Sequence, residues 1–141
     1  MNNHQIALVK ETFGLVATIP AETVGDLFYN RLFEISPEIR PMFARTSLPE
    51  QSRKLISMLA YVVSKLDNLS SIIDEVAKLA QRHVKYGVEP KHYQPVGAAL
   101  LWTLEKGLGD QWNEEVKEAW GLCYSTLSVA MIQACEEISV A

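Results

Sequence analysis

The sequence predicts an all-α fold. Apolar residues return at helical spacing along almost the whole chain, and no stretch sustains the apolar–polar alternation of a half-buried strand. Proline, glycine and capping residues interrupt the pattern at intervals, which cuts it into segments of ordinary helix length.

In chain order, Ile6, Val9, Phe13 and Val16 share a face of a first helix over about Asn3–Thr18. Pro20 stops it, and Pro20-Ala21-Glu22 suits the first turn of a second helix. That helix runs to about Glu34 and carries Val24, Leu27, Phe28, Leu32 and Phe33. Ser36, as N-cap, opens a short third helix that ends near Met42-Phe43. A loop over Ala44–Leu48 leads to Pro49-Glu50, which begins a fourth helix through about Leu66. Asp67-Asn68-Leu69-Ser70 supplies a break with capping residues. The fifth helix spans Ser70–Tyr86, with Gly87 suited to a left-handed cap. Glu89-Pro90 begins a sixth through about Leu108, Gly109-Asp110 breaks it, and a long last helix covers about Asn113–Ile138. Seven or so helices with short connections are read as one domain spanning residues 1–141.

The chain's 141 residues suffice for a packed core. A net charge of −4 gives no electrostatic footprint for nucleic acid. No apolar run reaches the ~18 residues of a membrane span. The start, Met1-Asn2-Asn3-His4-Gln5, lacks the basic region and cleavage site of a signal peptide, so a cytoplasmic location is expected. Cys123 and Cys135 fall on one helix, roughly 18 Å apart at 1.5 Å per residue, too far for a disulfide. They are expected to be free packing thiols, and no zinc site can be assembled from them.

One residue breaks the core pattern. Ile72, Val76, Leu79 and His83 recur along one stripe of the fifth helix, with Ile73 and Ala80 beside them, so an imidazole stands where a leucine is expected. Left unpaired in a core, a polar group costs about 1–3 kcal/mol. A backbone carbonyl or a metal would each satisfy it, and the pattern by itself admits both.

The order and spacing of several short motifs settle the family resemblance. They are Leu27-Phe28-Tyr29-Asn30-Arg31-Leu32-Phe33, Pro37-Glu38, Pro41-Met42-Phe43, Gln51-Ser52-Arg53-Lys54-Leu55, Asp67-Asn68-Leu69, His83, Gly87-Val88, His92-Tyr93, Val96-Gly97 and Ala119-Trp120. Across essentially its whole length the chain resembles the globins, specifically the bacterial single-domain haemoglobins akin to the haem domain of flavohaemoglobins.

The resemblance implies a globin fold around haem b, with His83 as the proximal iron ligand and Phe43 against the porphyrin face. It implies Tyr29 and Gln51 as the polar distal pair, Leu55 as an apolar distal wall, and Tyr93 on the proximal side near His83. Helical geometry agrees: Gln51 and Leu55 are i, i+4 and share a face. Gly25 precedes Tyr29 by one turn, and its missing side chain would let another helix cross closely. His92 follows Glu89-Pro90-Lys91 in a polar helix start and is expected to be solvated; His4 is assigned no role. Trp102 and Trp120 are read as packing residues. The chain departs from the family at Cys135, where the relatives' last helix carries a glutamate; Glu136 stands next to it, about 100° around the helix.

A ferrous iron with one imidazole keeps its sixth position open, and the distal side decides what happens there. O2, CO and NO are the expected ligands. O2 held there becomes a partly negative acceptor, and Tyr29 and Gln51 are the expected donors, which favours tight binding over delivery. The resemblance then implies nitric oxide dioxygenation or O2 storage, with electrons from an external donor or reductase. A haem-based gas sensor acting through a separate partner protein is the alternative.

Overall fold

In the computed structural model the described residues are 2–44, 46–68, 73–85 and 90–140, except for the side chains of 73, 74, 76, 83–85, 90 and 133–140. The expected Gly87 cap, and residues 70–72, 86 and 89 of the expected helices, lie outside them. The α-helices are α1 (Asn3–Val16), α2 (Ala21–Ile35), α3 (Leu48–Ser64), α4 (Ile73–Lys85), α5 (Tyr93–Leu108) and α6 (Glu114–Val140). Short 3-10 helices cover Pro37–Phe43, Pro90–His92 and Gly109–Gln111. Strands are absent among the described residues.

Local chemistry explains the boundaries. Asn2 accepts from the Gln5 N–H at 2.8 Å while the Gln5 side chain accepts from the Asn2 N–H at 3.0 Å, a capping box that starts α1. Asn113 accepts from the Val116 N–H at 2.9 Å at the head of α6. Gly109 takes the left-handed φ of 54° that ends α5.

The third helix differs from expectation: it is a 3-10 helix, because Pro37 and Pro41 leave it short of backbone donors. Ser36 does not cap it; its hydroxyl is drawn instead to the Glu38 carboxylate.

α2 lies at the centre, packed on both α3 and α5, while α6 lies against α1, α4 and α5. The stripe of α2 runs two residues wide, through Val24, Gly25, Phe28, Tyr29, Leu32 and Phe33, all buried. Trp120 of α6 is a packing residue as expected: it is fully buried against α1, its indole N–H donating to Thr12 Oγ1 at 2.8 Å. The Thr12 hydroxyl in turn donates to the Leu8 carbonyl, so no buried polar atom of the pair is stranded. At the surface, Arg53 reaches Glu22 at 2.7 Å and Lys10 pairs with Asp67, tying α3 to α2 and the end of α3 to α1. No helix among the described residues is long and apolar enough to cross a membrane.

Candidate functional site

The site begins at the α2–α3 crossing. Ser52 of α3 is seated on Gly25 of α2 so closely that a Cβ at position 25 would stand 1.7 Å from Ser52 Oγ and 2.2 Å from Ser52 Cβ. Ser52 is buried, and its hydroxyl is satisfied by the Leu48 carbonyl at 2.8 Å. The crossing puts two residues that the sequence singles out next to each other. Tyr29 lies one turn beyond Gly25, Gln51 immediately precedes Ser52, and the Gln51 side chain comes near enough to the Tyr29 hydroxyl to lower its pKa.

Tyr29 is only 4 % exposed. Its ring meets Phe28 edge-on at 4.9 Å, Phe43 at 5.4 Å and Phe33 at 6.2 Å between centroids. Phe43 closes the 3-10 helix, half-buried, and also touches Phe33 at 5.7 Å. Leu55, one turn beyond Gln51, is partly buried and packs on the same core. Tyr29, Gln51 and Phe43 thus lie together beside α2, with Leu55 one turn further along α3. A cleft of about 460 Å³ adjoins this cluster, lined by Phe33, Pro37, Arg40, Pro41, Phe43, Ala44 and Leu48.

Burial dominates the electrostatics. Loss of water pushes the Tyr29 phenol up to about 12, against a smaller lowering by the nearby Gln51 side chain. The hydroxyl is therefore a proton donor at any physiological pH. Burial likewise pushes the Cys123 thiol up to about 11. Both groups are neutral when protonated, and the unfolded chain gives up these protons near pH 10 and 9 respectively. Stability is thus intact below about pH 9 and falls as pH rises to about 12. Tyr29 alone accounts for roughly 2–3 kcal/mol of that loss. Urea denaturation at pH 8 and pH 11.5 should show a smaller alkaline loss in Tyr29→Phe than in the parent chain.

The other expected site residues lie on α4 and at the head of α5. His83 falls within α4, which packs on α6; its side chain lies outside the described residues, as do those of Cys135 and Glu136. Tyr93 is the first residue of α5, half-buried, and its carbonyl accepts from the Tyr124 hydroxyl at 2.5 Å. Tyr124 and its neighbour Gly97 carry no signal by periodicity; only a glycine inside a helix, facing an aromatic on another, would have hinted at the contact.

His92 corrects an expectation. It is 7 % exposed and so not solvated. Pro90, Lys91 and His92 form a tight 3-10 turn, and His92 and Lys91 add to the lowering of the Glu38 carboxyl that the Ser36 hydroxyl chiefly causes. Among the described residues no three His, Cys, Asp or Glu side chains gather as a metal site.

The comparisons with known proteins point to one family. The globin family model matches residues 26–131. A flavohemoprotein of Pseudomonas aeruginosa is 35 % identical over 144 residues, covering all of this chain and 36 % of that protein. A flavohemoprotein of Xylella fastidiosa is 35 % identical over 86 % of this chain and 30 % of its own length. The chain thus spans about a third of the length of these curated relatives. Among solved structures, a bacterial globin from Campylobacter jejuni superposes with a TM-score of 0.87 at 25 % identity, covering 99 % of this chain and 100 % of that one.

Proposed function

Because the chain belongs to the globin family and has its fold, we propose that it holds haem b through His83 and binds O2, CO and NO beside Tyr29 and Gln51. The observation that carries this reading is the buried Tyr29 side chain, with Gln51 near its hydroxyl and Phe43 against its ring. Such a donor set fits haem. One histidine is the ligand number a haem iron asks of a globin, and a phenol–amide pair among apolar side chains suits a small polarised ligand.

When bound, the haem supplies a ferrous iron with one position open to a diatomic gas. Tyr29 would donate a hydrogen bond to a small polarised ligand such as O2, and Gln51 would orient that phenol and offer a second donor. Phe43 and Leu55 keep water out, which strengthens both hydrogen bonds. Tyr93 lies on the His83 side. Hydrogen bonds to a charged acceptor contribute about 1.5–3 kcal/mol, or roughly a 10- to 150-fold effect. Tyr29→Phe should therefore speed O2 release by about that factor while changing CO release less, as stopped-flow spectroscopy would read; an unchanged O2 rate would refute the reading.

Tight retention suits conversion of nitric oxide and O2 to nitrate, or O2 storage, better than delivery. Electrons for turnover would come from an external donor or reductase. Nitrate formed rapidly when nitric oxide meets the oxygenated protein would favour the first role over the second.

A further inference from the structure

Tyr29 and Phe33 are i and i+4 on the buried face of α2, and the 3-10 helix that follows brings Phe43 back to both. The three rings stand at the corners of a triangle with centroid separations of 5.4, 5.7 and 6.2 Å, each pair tilted. Phe33 and Phe43 also line the cleft of about 460 Å³. The rings that line the cleft are thus the same rings that touch Tyr29, and the wall between cleft and phenol is one aromatic side chain thick.

The chemistry of the cleft suits an apolar visitor. Apart from Arg40, the described residues that line it are apolar, Pro41, Ala44 and Leu48 among them. An ion entering would lose its hydration, whereas a diatomic gas has no hydrogen bonds to give up. Water's share of liquid volume is about 30 Å³ per molecule, so a diatomic of similar size enters with room to turn. Arg40 serves the wall itself. Its side chain is exposed, yet its guanidinium lies over the Phe33 ring at 5.3 Å from the centroid. That contact restrains Phe33, and through it the Phe43 ring it touches.

We propose that this cleft is where diatomic gases are admitted to the Tyr29 pocket, passing between Phe33 and Phe43 when the rings swing, with Arg40 as their latch. This rests on the reading above, in which the gas comes to lie beside Tyr29. A passage acts on rates alone. By microscopic reversibility it changes entry and exit by one factor and leaves affinity where it was, whereas a donor such as Tyr29 acts on the bound gas and changes release.

The test uses the haem-loaded ferrous protein with CO as the probe. Flash photolysis reads the rate of entry, and ligand replacement reads the rate of release. Ala44 is exposed just after the 3-10 helix, so Ala44→Trp sets an indole into the cleft. Both rates should fall by about fivefold with their ratio unchanged, and more of the photolysed CO should rebind before escaping. Arg40→Ala removes the latch, and both rates should rise about two- to fivefold, the range that a cation–π contact at an exposed site converts to.

General loosening would quicken entry in both variants, so opposite signs at an unchanged ratio are the signature of a passage. If Ala44→Trp does not fold, Arg40→Ala, at an exposed side chain, carries the test alone. A release rate that changes while entry does not would place these residues on the bound ligand and overturn the passage. Entry and release both unchanged, with CO still bound, would mean that gas enters elsewhere; the inference falls and the haem reading stands. A parent protein that binds no CO overturns that reading, and the inference with it.

Discussion

One methyl group at position 25 is expected to destabilise the protein by about 3 kcal/mol and to pull its polar pocket apart. The Cβ of Gly25→Ala would overlap Ser52 Oγ at 1.7 Å and Ser52 Cβ at 2.2 Å. Rotating the serine removes only the first clash. The second remains, and Ser52 Cα, a backbone atom, is already at 3.1 Å, so α3 as a whole has to lift from α2. Overpacking of this kind costs about 1–3 kcal/mol and occasionally more, and a clash against backbone belongs at the upper end. Gln51 travels with α3 away from Tyr29, so O2 release should quicken along with the loss in urea midpoint. Ser52→Gly removes both of the nearest atoms, so the double variant should regain most of the stability. That non-additivity, read in a double-mutant cycle, separates a local clash from a general intolerance at position 25.

His83→Ala is expected to have the largest functional effect. Under the proposed reading it removes the protein's bond to iron while leaving α4 with a better helix former. Haem content of the purified protein, read as pyridine haemochrome, should fall more than tenfold, equivalent to at least about 1.4 kcal/mol of retention. Added imidazole should restore a Soret band by filling the vacated ligand position. His92→Ala is the control: His92 is buried near Glu38, at the end of the 3-10 helix Pro90–His92, and its loss should leave haem content intact. Equal haem content in the His83 variant and the parent would make His83 a core residue.

The helices were legible in the sequence because burial imposes its period on them. The stripe of α2 and the proline and glycine stops give most boundaries to within two residues. The 3-10 character of Pro37–Phe43 was harder to see, since two prolines at a helix start look like N-terminal signals of an α-helix. Half of the α2–α3 crossing could be anticipated: Gly25 announced that something would come close, but nothing local named Ser52 as its partner. The gathering of Tyr29, Gln51 and Phe43 came from the family resemblance. Tyr29 alone reads as a half-exposed helix tyrosine, and its burial is a tertiary fact. His92 was misread for the same reason, because polar neighbours in sequence say little about what another element lays over a residue. The seat of Tyr124 on Gly97 joins residues 27 positions apart and leaves no trace in periodicity.

Trp102 of α5 is half-buried, and two cations lie over it: the Arg31 guanidinium at 5.2 Å and the Lys106 ammonium at 5.6 Å from the ring centroid. Each such contact contributes roughly 0.5–1 kcal/mol at an exposed position. Their larger consequence is colloidal. An uncovered indole is a ready nucleus for adhesion between molecules in concentrated solution, whereas one roofed by two charges carries their hydration shells with it. A second molecule would have to strip that water to reach the ring, so this edge of the protein stays wetted, and its tryptophan is spent on holding two side chains in place.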